Sequence, residues 1–146
     1  MSNDTNELSA AFAPYLQDLA AFRFQLRKFL SFSEVATERT GIQAQQYQLM
    51  QVIASLPSDQ QSSITYLAER MVLRHNSTVE LVDRAERAGL VERRNDAKDL
   101  RRSLVVLTPK GDEILRALIA EHMQEVKRVG PELIHALQEL INSETE

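Results

Sequence analysis

The stretch that decides the fold runs from Ser63 to Gly111 and reads SITYLAERMVLRHNSTVELVDRAERAGLVERRNDAKDLRRSLVVLTPKG. It begins with a helix pattern that extends from Ser62 or Ser63 to about Met71, because a hydroxyl residue able to cap the helix precedes the apolar repeat. The residues expected to be buried on this helix are Ile64, Leu67 and Ala68.

A second helix is predicted from about His75 to Ala88, after a short turn. Its apolar positions recur at helical spacing and place one face inward: Val79, Val82 and Ala85, with Leu81 beside them. Asn76, Ser77, Glu80, Arg84 and Arg87 then face outward. Gly89 follows the helix, at the position where a helix end favours a residue that tolerates left-handed dihedral angles.

Two β-rich runs, Leu90–Arg94 and Ser103–Thr108, flank the turn-forming NDAKD and predict a β-hairpin. The tip of this hairpin is basic, with five Lys or Arg residues between Arg93 and Arg102. A helix, a turn, a second helix and a basic hairpin are typical of a winged helix-turn-helix, which reads duplex DNA.

The second helix is expected to lie in the major groove, with its N-terminal residues near base edges and phosphates. The predicted DNA-binding residues of this helix are Arg74, His75, Asn76, Ser77, Thr78 and Arg84. Those of the hairpin, or wing, are Arg94, Lys98, Arg101 and Arg102, which would reach the backbone or the minor groove. Ser77 and Thr78 could instead serve only as helix caps, and Arg84 and Arg87 could pair with Asp83 and Glu80.

Four segments, taken in order and with their spacing, resemble the MarR family of transcriptional regulators. They are LAERM, LVDRAERAGLV, the D-x-x-D-x-R-R of the wing and LTPKG. The resemblance is close from about Gln46 to Gly111 and includes the length and pattern of the flanking helices. Three residues depart from it: Ala85 stands where the family usually has leucine, Leu100 where it often has arginine, and Gln43 where a Ser or Thr cap is common.

The resemblance implies a repressor whose repression is relieved by small lipophilic or phenolic effectors, many of them acids. By position in the fold, the effector crevice would lie among Phe22, Arg23, Leu26, Tyr47 and Met50. It also implies two roles for Arg101, since the Asp-x-Arg element formed with Asp99 braces the wing in some members and presents the arginine to DNA in others.

Long apolar helices are predicted at both ends of the chain. The seam Leu8, Phe12, Tyr15, Leu19, Phe22, Leu26 and Phe29 keeps a heptad spacing. Pro14 is expected in the first turn, so that the regular helix starts near Ala13 and ends before Gly41. Another helix covers about Gln43 to Leu56, with Tyr47, Met50, Ile53 and Ala54 inward.

After the hairpin, Thr108-Pro109 predicts a capped helix start, and Gly130-Pro131 predicts a break before a last helix. One face of the first of these helices is expected to carry Leu115, Ile119, His122, Val126 and Val129, with His122 a core or interface residue rather than a ligand contact. The terminal helices either cover each other or, as the amount of apolar surface and the resemblance favour, form an obligate homodimer.

The predicted fold is therefore mainly α with a small β-hairpin wing, a winged helix-turn-helix with long N- and C-terminal dimerisation helices. We expect residues 1–146 to form a single domain, with dimerisation helices at 8–40 and 109–142 and the DNA-binding part at 41–108.

The charge distribution agrees with a DNA-binding surface. The chain carries a net charge of −4, yet residues 70–102 hold nine Lys or Arg against six Asp or Glu. The chain has no cysteine, which excludes disulfides and thiol redox sensing. No apolar run suggests a membrane span or a signal peptide, so a cytoplasmic location is expected.

We expect no enzyme activity, cofactor or metal. Glu132-x-x-His135 has the spacing found in di-iron bundles but occurs once, where such sites need two copies. His75, Ser77 and Asp83 lie on one helix and cannot converge as a hydrolytic triad. The alternative to a DNA-binding regulator is a dimeric helical interaction protein, for which the basic wing would have no use.

Overall fold

A computed structural model describes the backbone of residues 2–143 and the side chains from Ala10 to Ser143. The helices are α1 (Ser2–Arg39), α2 (Ala44–Ala54), α3 (Ile64–Met71), α4 (His75–Arg87) and α5 (Pro109–Asn142). The strands are β1 (Val91–Asn95) and β2 (Ser103–Leu107), which pair antiparallel with Val91 opposite Leu107 and Asn95 opposite Ser103. This confirms a mainly helical fold with a hairpin wing.

The chain forms two compact units. The first contains residues up to Ser33 and from His122 onward, and the second contains Glu34–Glu121. Within the described residues, no helix is both long and apolar enough to cross a membrane.

The second unit holds the helix-turn-helix and the wing around one hydrophobic core. Side chains from every element of this unit are fully buried in it: Leu49, Met50, Leu67, Leu81, Val82, Leu90, Val91, Val105 and Leu118. The extended residues before α3 continue the wing sheet, since Val105 N donates to Ser62 O at 3.0 Å and Ser63 bridges to Leu104. The predicted loop at 58–62 therefore leads into an isolated β-bridge with the two-stranded wing.

The first unit contains a buried polar contact. His122 lies 2.9 Å from the Ser33 hydroxyl, and the rings of Phe29 and Phe32 approach it edge-on at 6.3 and 5.5 Å. The prediction of a core histidine is therefore confirmed. Glu125 is buried beside it, and the hydrogen bond from the Arg128 guanidinium holds the pKa of Glu125 below its ordinary value.

Both predicted interruptions of the terminal helices are wrong. Helix α1 runs through Pro14, and α5 runs through Pro131. A proline inside a helix removes one main-chain hydrogen bond, and its ring clashes with the carbonyl four residues earlier, which can kink a helix without ending it. Val129 and Ala136, on either side of Pro131, are both buried, which favours a continuous helix. Leu8 lies outside the residues whose side chains the structure describes.

Two predictions of buried helix faces are also wrong in part. Ala54, expected in the core, is the last residue of α2 and is exposed. On α5 the predicted stripe divides between two faces: Leu115, His122 and Val129 are buried, whereas Ile119 and Val126 are exposed. The apolar residues of α5 cover more of the helix surface than the rest of the chain buries. The single apolar stripe predicted from the sequence therefore consists of one buried face and one exposed face.

Candidate nucleic-acid interface

The recognition helix α4 begins at a tight turn after α3. Helix α3 is capped by Ser63, whose hydroxyl accepts a hydrogen bond from Tyr66 N at 3.2 Å. It ends at Val72, which adopts a left-handed conformation with φ 54° and ψ 45°. Arg74 is then extended, and its carbonyl accepts the first helical hydrogen bond of α4, from Thr78 N. The turn thus brings the α4 N-terminus to the surface.

The first residues of the recognition helix are available to a partner. Arg74, His75, Asn76 and Ser77 are all exposed. No acidic side chain of the described residues lies within ion-pair distance of Arg74. The side chain of Arg74 does not cap the helix, so main-chain N–H groups of the first turn remain free to meet an anion.

The prediction that the Thr78 side chain contacts DNA is wrong. Its side chain is completely buried, and its hydroxyl donates to Arg74 O at 2.9 Å. The sequence pattern placed Thr78 next to Ser77 on the surface, but one residue along a helix is a rotation of about 100°. Thr78 therefore stabilises the start of α4 from inside and cannot touch DNA.

Two carboxylates of α4, those of Asp83 and Glu86, pair with the wing rather than with their own helix. Arg93 Nη2 lies 2.6 Å from Asp83 Oδ1, and Arg93 Nη1 lies 2.9 Å from Glu86 Oε1. The main-chain N–H of Arg93 also donates to Glu86 Oε2 at 2.9 Å. The alternative that Arg84 or Arg87 pairs with Asp83 is not what the structure shows; Arg84 is half-buried and Arg87 is exposed.

Arg93 joins the wing to α4, a contact that is not among the predictions from the sequence. It lies on β1 opposite Val105, two residues after the buried Val91, and therefore on the same face of the strand. That alternation was present in the sequence and indicates that Arg93 points inward while Glu92 and Arg94 point away from it. Only the positions of the α4 carboxylates had to come from the structure.

The remaining cations of the wing face solvent. Arg94 pairs with Glu92 of its own strand at 2.7 Å but stays exposed. Lys98 and Arg102 are exposed, and among the described side chains no carboxylate lies within ion-pair distance of either. The wing thus keeps its predicted basic surface.

Asp99 braces the wing turn through the main chain. Its carboxylate accepts a hydrogen bond from Arg101 N at 3.0 Å, whereas the Arg101 guanidinium stays 3.9 Å away with 95% of the side chain exposed. Of the two roles open to Arg101, this geometry supports the one in which the side chain faces outward. Asp99 braces the turn through the main chain of Arg101, as Asp96 does through the main chain of Lys98.

The predicted effector residues fall in both units, and the crevice among them stays a prediction. Met50 is fully buried and Tyr47 nearly so, and both belong to the core of their unit. Helix packing against α3 and α4 explains their burial. In the other unit, Phe22 and Leu26 are half-buried and Arg23 is exposed.

The first unit does contain a cleft, between α1 and the second half of α5. Its volume is about 570 Å³, and it includes none of the five predicted effector residues. Three carboxylates and a histidine line it together with smaller residues: Asp18, Ala21, Gln25, Pro131, Glu132, His135, Ala136 and Glu139. The Glu132-x-x-His135 pair therefore lies at the edge of a cleft, and nowhere in the described residues do three or more metal-ligating His, Asp or Glu side chains converge.

Comparisons with known proteins agree with this architecture. The profile of the MarR family matches residues 40–102. The transcriptional regulator HosA of Escherichia coli O157:H7 is 40% identical over 74 residues, which are 51% of this chain and 53% of HosA. The chain thus spans about half the length of the curated relatives it matches.

Two solved structures show the same fold. The MarR family regulator AbsC from Streptomyces coelicolor has a TM-score of 0.67 at 22% identity and covers 86% of this chain and 79% of its own. A Staphylococcus aureus MepR variant bound to an oligodeoxyribonucleotide has a TM-score of 0.63 at 19% identity, covering 75% of this chain and 79% of its own. Residues 40–102 of this chain thus match the MarR family, and the chain has the fold of these regulators.

Proposed function

We propose that the protein is a DNA-binding regulator of transcription that binds a pseudo-palindromic duplex site as a homodimer. The observation that carries the proposal is the exposed start of α4, where Arg74, His75, Asn76 and Ser77 have no competing role in the fold. Arginine and asparagine at such a position can make bidentate hydrogen bonds with guanine and adenine.

The wing supplies a second set of contacts to DNA, alongside those of α4. Lys98, Arg101 and Arg102 project from a turn that is held by its own hydrogen bonds. Cations presented on a rigid loop lose little side-chain and backbone freedom on binding phosphate, which raises affinity without reading sequence. Arg94 is a weaker candidate, because Glu92 already neutralises part of its charge.

Exposed apolar surface in the first unit supports the homodimer. On α1, Phe12, Leu16, Leu19 and Leu30 are exposed at spacings of four, three and eleven residues, so they share one helix face. On α5, Met123, Val126, Ile134, Leu137 and Ile141 are exposed and also share one face. Two long apolar faces left in water favour burial against a second copy.

We further propose that the protein represses transcription and that an effector relieves the repression, which only the resemblance to MarR regulators supports. The cleft in the first unit adds one chemical restriction. Its three carboxylates repel an anionic ligand, so a neutral phenolic effector suits this cleft better than a carboxylic acid.

Sedimentation tests the assembly. At micromolar concentration the chain should sediment near twice its 16.6 kDa mass. Leu19→Asp places a charge on the exposed face of α1 and should give monomers, because burying that unpaired charge between two copies costs several kcal/mol. Gln17→Asp introduces the same charge on another face of α1 and should leave the dimer intact. A wild-type chain that sediments as a monomer would remove the dimer and the palindrome together.

Selection from a random-sequence duplex pool tests DNA binding. The wild-type protein should enrich duplexes that share a twofold-symmetric motif and bind them with an affinity that falls steeply as salt rises. If the pool yields no enriched motif and the protein binds no duplex at low salt, the chain is not a DNA-binding regulator. The alternative, a helical interaction protein, would then take its place.

A further inference from the structure

Leu100 is the most exposed large apolar side chain of the wing, with 80% of its surface in water. It lies between the two strands, within the segment 96–102. It contributes nothing to the core. A single exposed leucine is ordinary on a protein surface, so its exposure alone indicates no function. What distinguishes Leu100 is the rigidity of its support and the charge around it.

The turn that carries Leu100 is held by hydrogen bonds on both sides. Arg102 N donates to Asp99 O at 3.0 Å, which closes a β-turn with Leu100 and Arg101 as its two central residues. Upstream, the buried Asp96 accepts from Lys98 N at 2.9 Å. The segment therefore presents Leu100 at an outward corner in a defined conformation.

A leucine at this corner has no local structural reason. Central turn positions favour Pro, Gly, Asn, Asp and Ser, whose conformations or side-chain hydrogen bonds suit a turn. Leu100 has none of those properties, and its apolar surface is left in water. The fold gives no reason for a leucine at this corner, whereas a partner that covers it would.

The surroundings of Leu100 restrict the chemistry of that partner. Lys98, Arg101 and Arg102 lie within two residues of it and are all exposed, while the adjacent Asp99 carboxylate accepts a hydrogen bond from the main chain of Arg101. An apolar side chain beside three cations is complementary to an apolar floor between two anionic walls. The minor groove of DNA has this form: phosphates border it, deoxyribose carbons line it, and A·T pairs leave its floor without amino groups.

We infer that Leu100 is an apolar wedge which enters the minor groove beside the recognition helix and favours A·T pairs there. Apolar side chains that enter the minor groove are known from architectural DNA-binding proteins, where they press against or between base steps. The inference rests on the proposed function and adds a specificity-determining residue to it. Lys98, Arg101 and Arg102 hold the groove walls, while Leu100 reads the shape and the amino-group content of its floor.

An anionic membrane surface offers a similar combination of charge and apolar interior, but the wing is too small for it. Stable membrane association needs a large apolar face or a lipid anchor in addition to basic residues. One leucine and three cations supply neither. DNA is therefore the partner that these observations favour, and vesicle binding is included as an outcome of the test.

The test uses the full chain and a duplex selected from a random pool by the wild-type protein, with affinity measured by fluorescence anisotropy. Leu100→Ala should weaken binding about fivefold for each wing that contacts the duplex, since part of a leucine side chain is no longer buried. Leu100→Asn, which has the same branched shape but is polar, should weaken binding at least as much. Leu100→Met should retain wild-type affinity.

The salt dependence separates a wedge from a phosphate contact. Leu100→Ala should leave the slope of log affinity against log salt unchanged, because no counterion release is lost. Lys98→Ala should lower that slope by about one for each lost phosphate contact. A lower slope in Leu100→Ala would mean that the substitution displaces the neighbouring cations, and would overturn the wedge.

Base analogues test the groove itself. Replacing adenine by 2,6-diaminopurine adds an amino group to the minor groove and leaves the major-groove edge unchanged. Scanned through the selected duplex, this replacement should weaken wild-type binding several-fold at A·T pairs beneath the wings and have no effect there on Leu100→Ala. Equal sensitivity of both proteins at every position would overturn the inference.

The outcomes also separate this inference from the proposed function. If the wild-type protein binds no duplex, both fail. If it binds and Leu100→Ala binds identically, the regulator stands and the wedge fails. Sedimentation with vesicles of phosphatidylserine and phosphatidylcholine covers the remaining partner: vesicle binding by wild type that Leu100→Ala abolishes, with DNA affinity unchanged, would assign Leu100 to a membrane and overturn the inference.

Discussion

Arg93 of the wing holds Asp83 of the recognition helix at 2.6 Å and, with its second guanidinium nitrogen, Glu86 at 2.9 Å. The two carboxylates are three residues apart and therefore neighbours on the α4 surface. The planar guanidinium can bond both at once, which an ammonium group cannot do with the same geometry. The wing and the recognition helix are thus fixed to each other through one side chain.

Arg93 should act on DNA binding by position and not by contact. Arg93→Ala should weaken binding to the selected duplex while leaving the salt slope unchanged, because the side chain meets carboxylates and not phosphate. With 27% of the side chain exposed, solvent screens the pairs, and we expect a loss of about 1 kcal/mol in the free energy of unfolding. Urea denaturation and anisotropy titrations measure the two effects.

The matched control for Arg93 is its neighbour Arg94, which lies on the other face of β1. Combining Arg93→Ala with Asp83→Asn should cost little more than Arg93→Ala alone, since both remove one interaction. Arg94→Ala combined with Asp83→Asn should be additive. A drop in salt slope for Arg93→Ala would show instead that this guanidinium binds phosphate.

Gly111 should not tolerate a side chain. A Cβ added there would lie 2.1 Å from Leu90 O, whose carbonyl also accepts a hydrogen bond from Thr108 N at 3.1 Å. Gly111→Ala should therefore lower the free energy of unfolding by about 3 kcal/mol, because the first turn of α5 would have to move away from Leu90, the residue before β1. Glu113→Ala, an exposed change in the same helical turn, should stay within about 0.5 kcal/mol of wild type. Equal stability of all three proteins in urea, at one fixed protein concentration, would contradict this packing.

Val72 should be a site of stored backbone strain. It is a β-branched residue at φ 54°, where only glycine and a few polar residues are comfortable, and 88% of its surface is exposed. Val72→Gly should raise the free energy of unfolding by about 0.5–1 kcal/mol, because strain is released and little burial is lost. The same change at Val35, inside helix α1, should lower it by a similar amount. Destabilisation at both positions would refute a strained Val72.

Most of the second unit could be predicted from local sequence signals. The Ser63 cap, the left-handed Gly89 and the Thr108-Pro109 helix start depend on a few adjacent residues, and each was found where the pattern placed it. The basic tip was visible because charge and turn residues coincide within a few positions. These features are fixed by backbone chemistry over one or two turns, which a sequence displays directly.

The errors concern choices that depend on distant contacts. Thr78 and Ser77 are adjacent and chemically alike, and only packing decides that the first is buried and the second exposed. Pro131 can end a helix or be carried within one, and the burial of residues on both sides decides between these. The pairing of Arg93 with Asp83 joins residues ten positions apart in different elements, which no local spacing encodes.

Base reading by α4 is tested most directly by the ratio of affinities for the selected duplex and for a scrambled duplex of the same length and composition. Arg74→Ala and Asn76→Ala should each lower this ratio, by an amount that corresponds to about 1–3 kcal/mol of binding free energy. The reason is that a bidentate contact to a base edge is lost while non-specific binding remains. Thr78→Val, which removes only a buried hydroxyl, should keep the wild-type ratio. If Arg74→Ala and Asn76→Ala weaken both duplexes equally, α4 does not read base edges in the major groove.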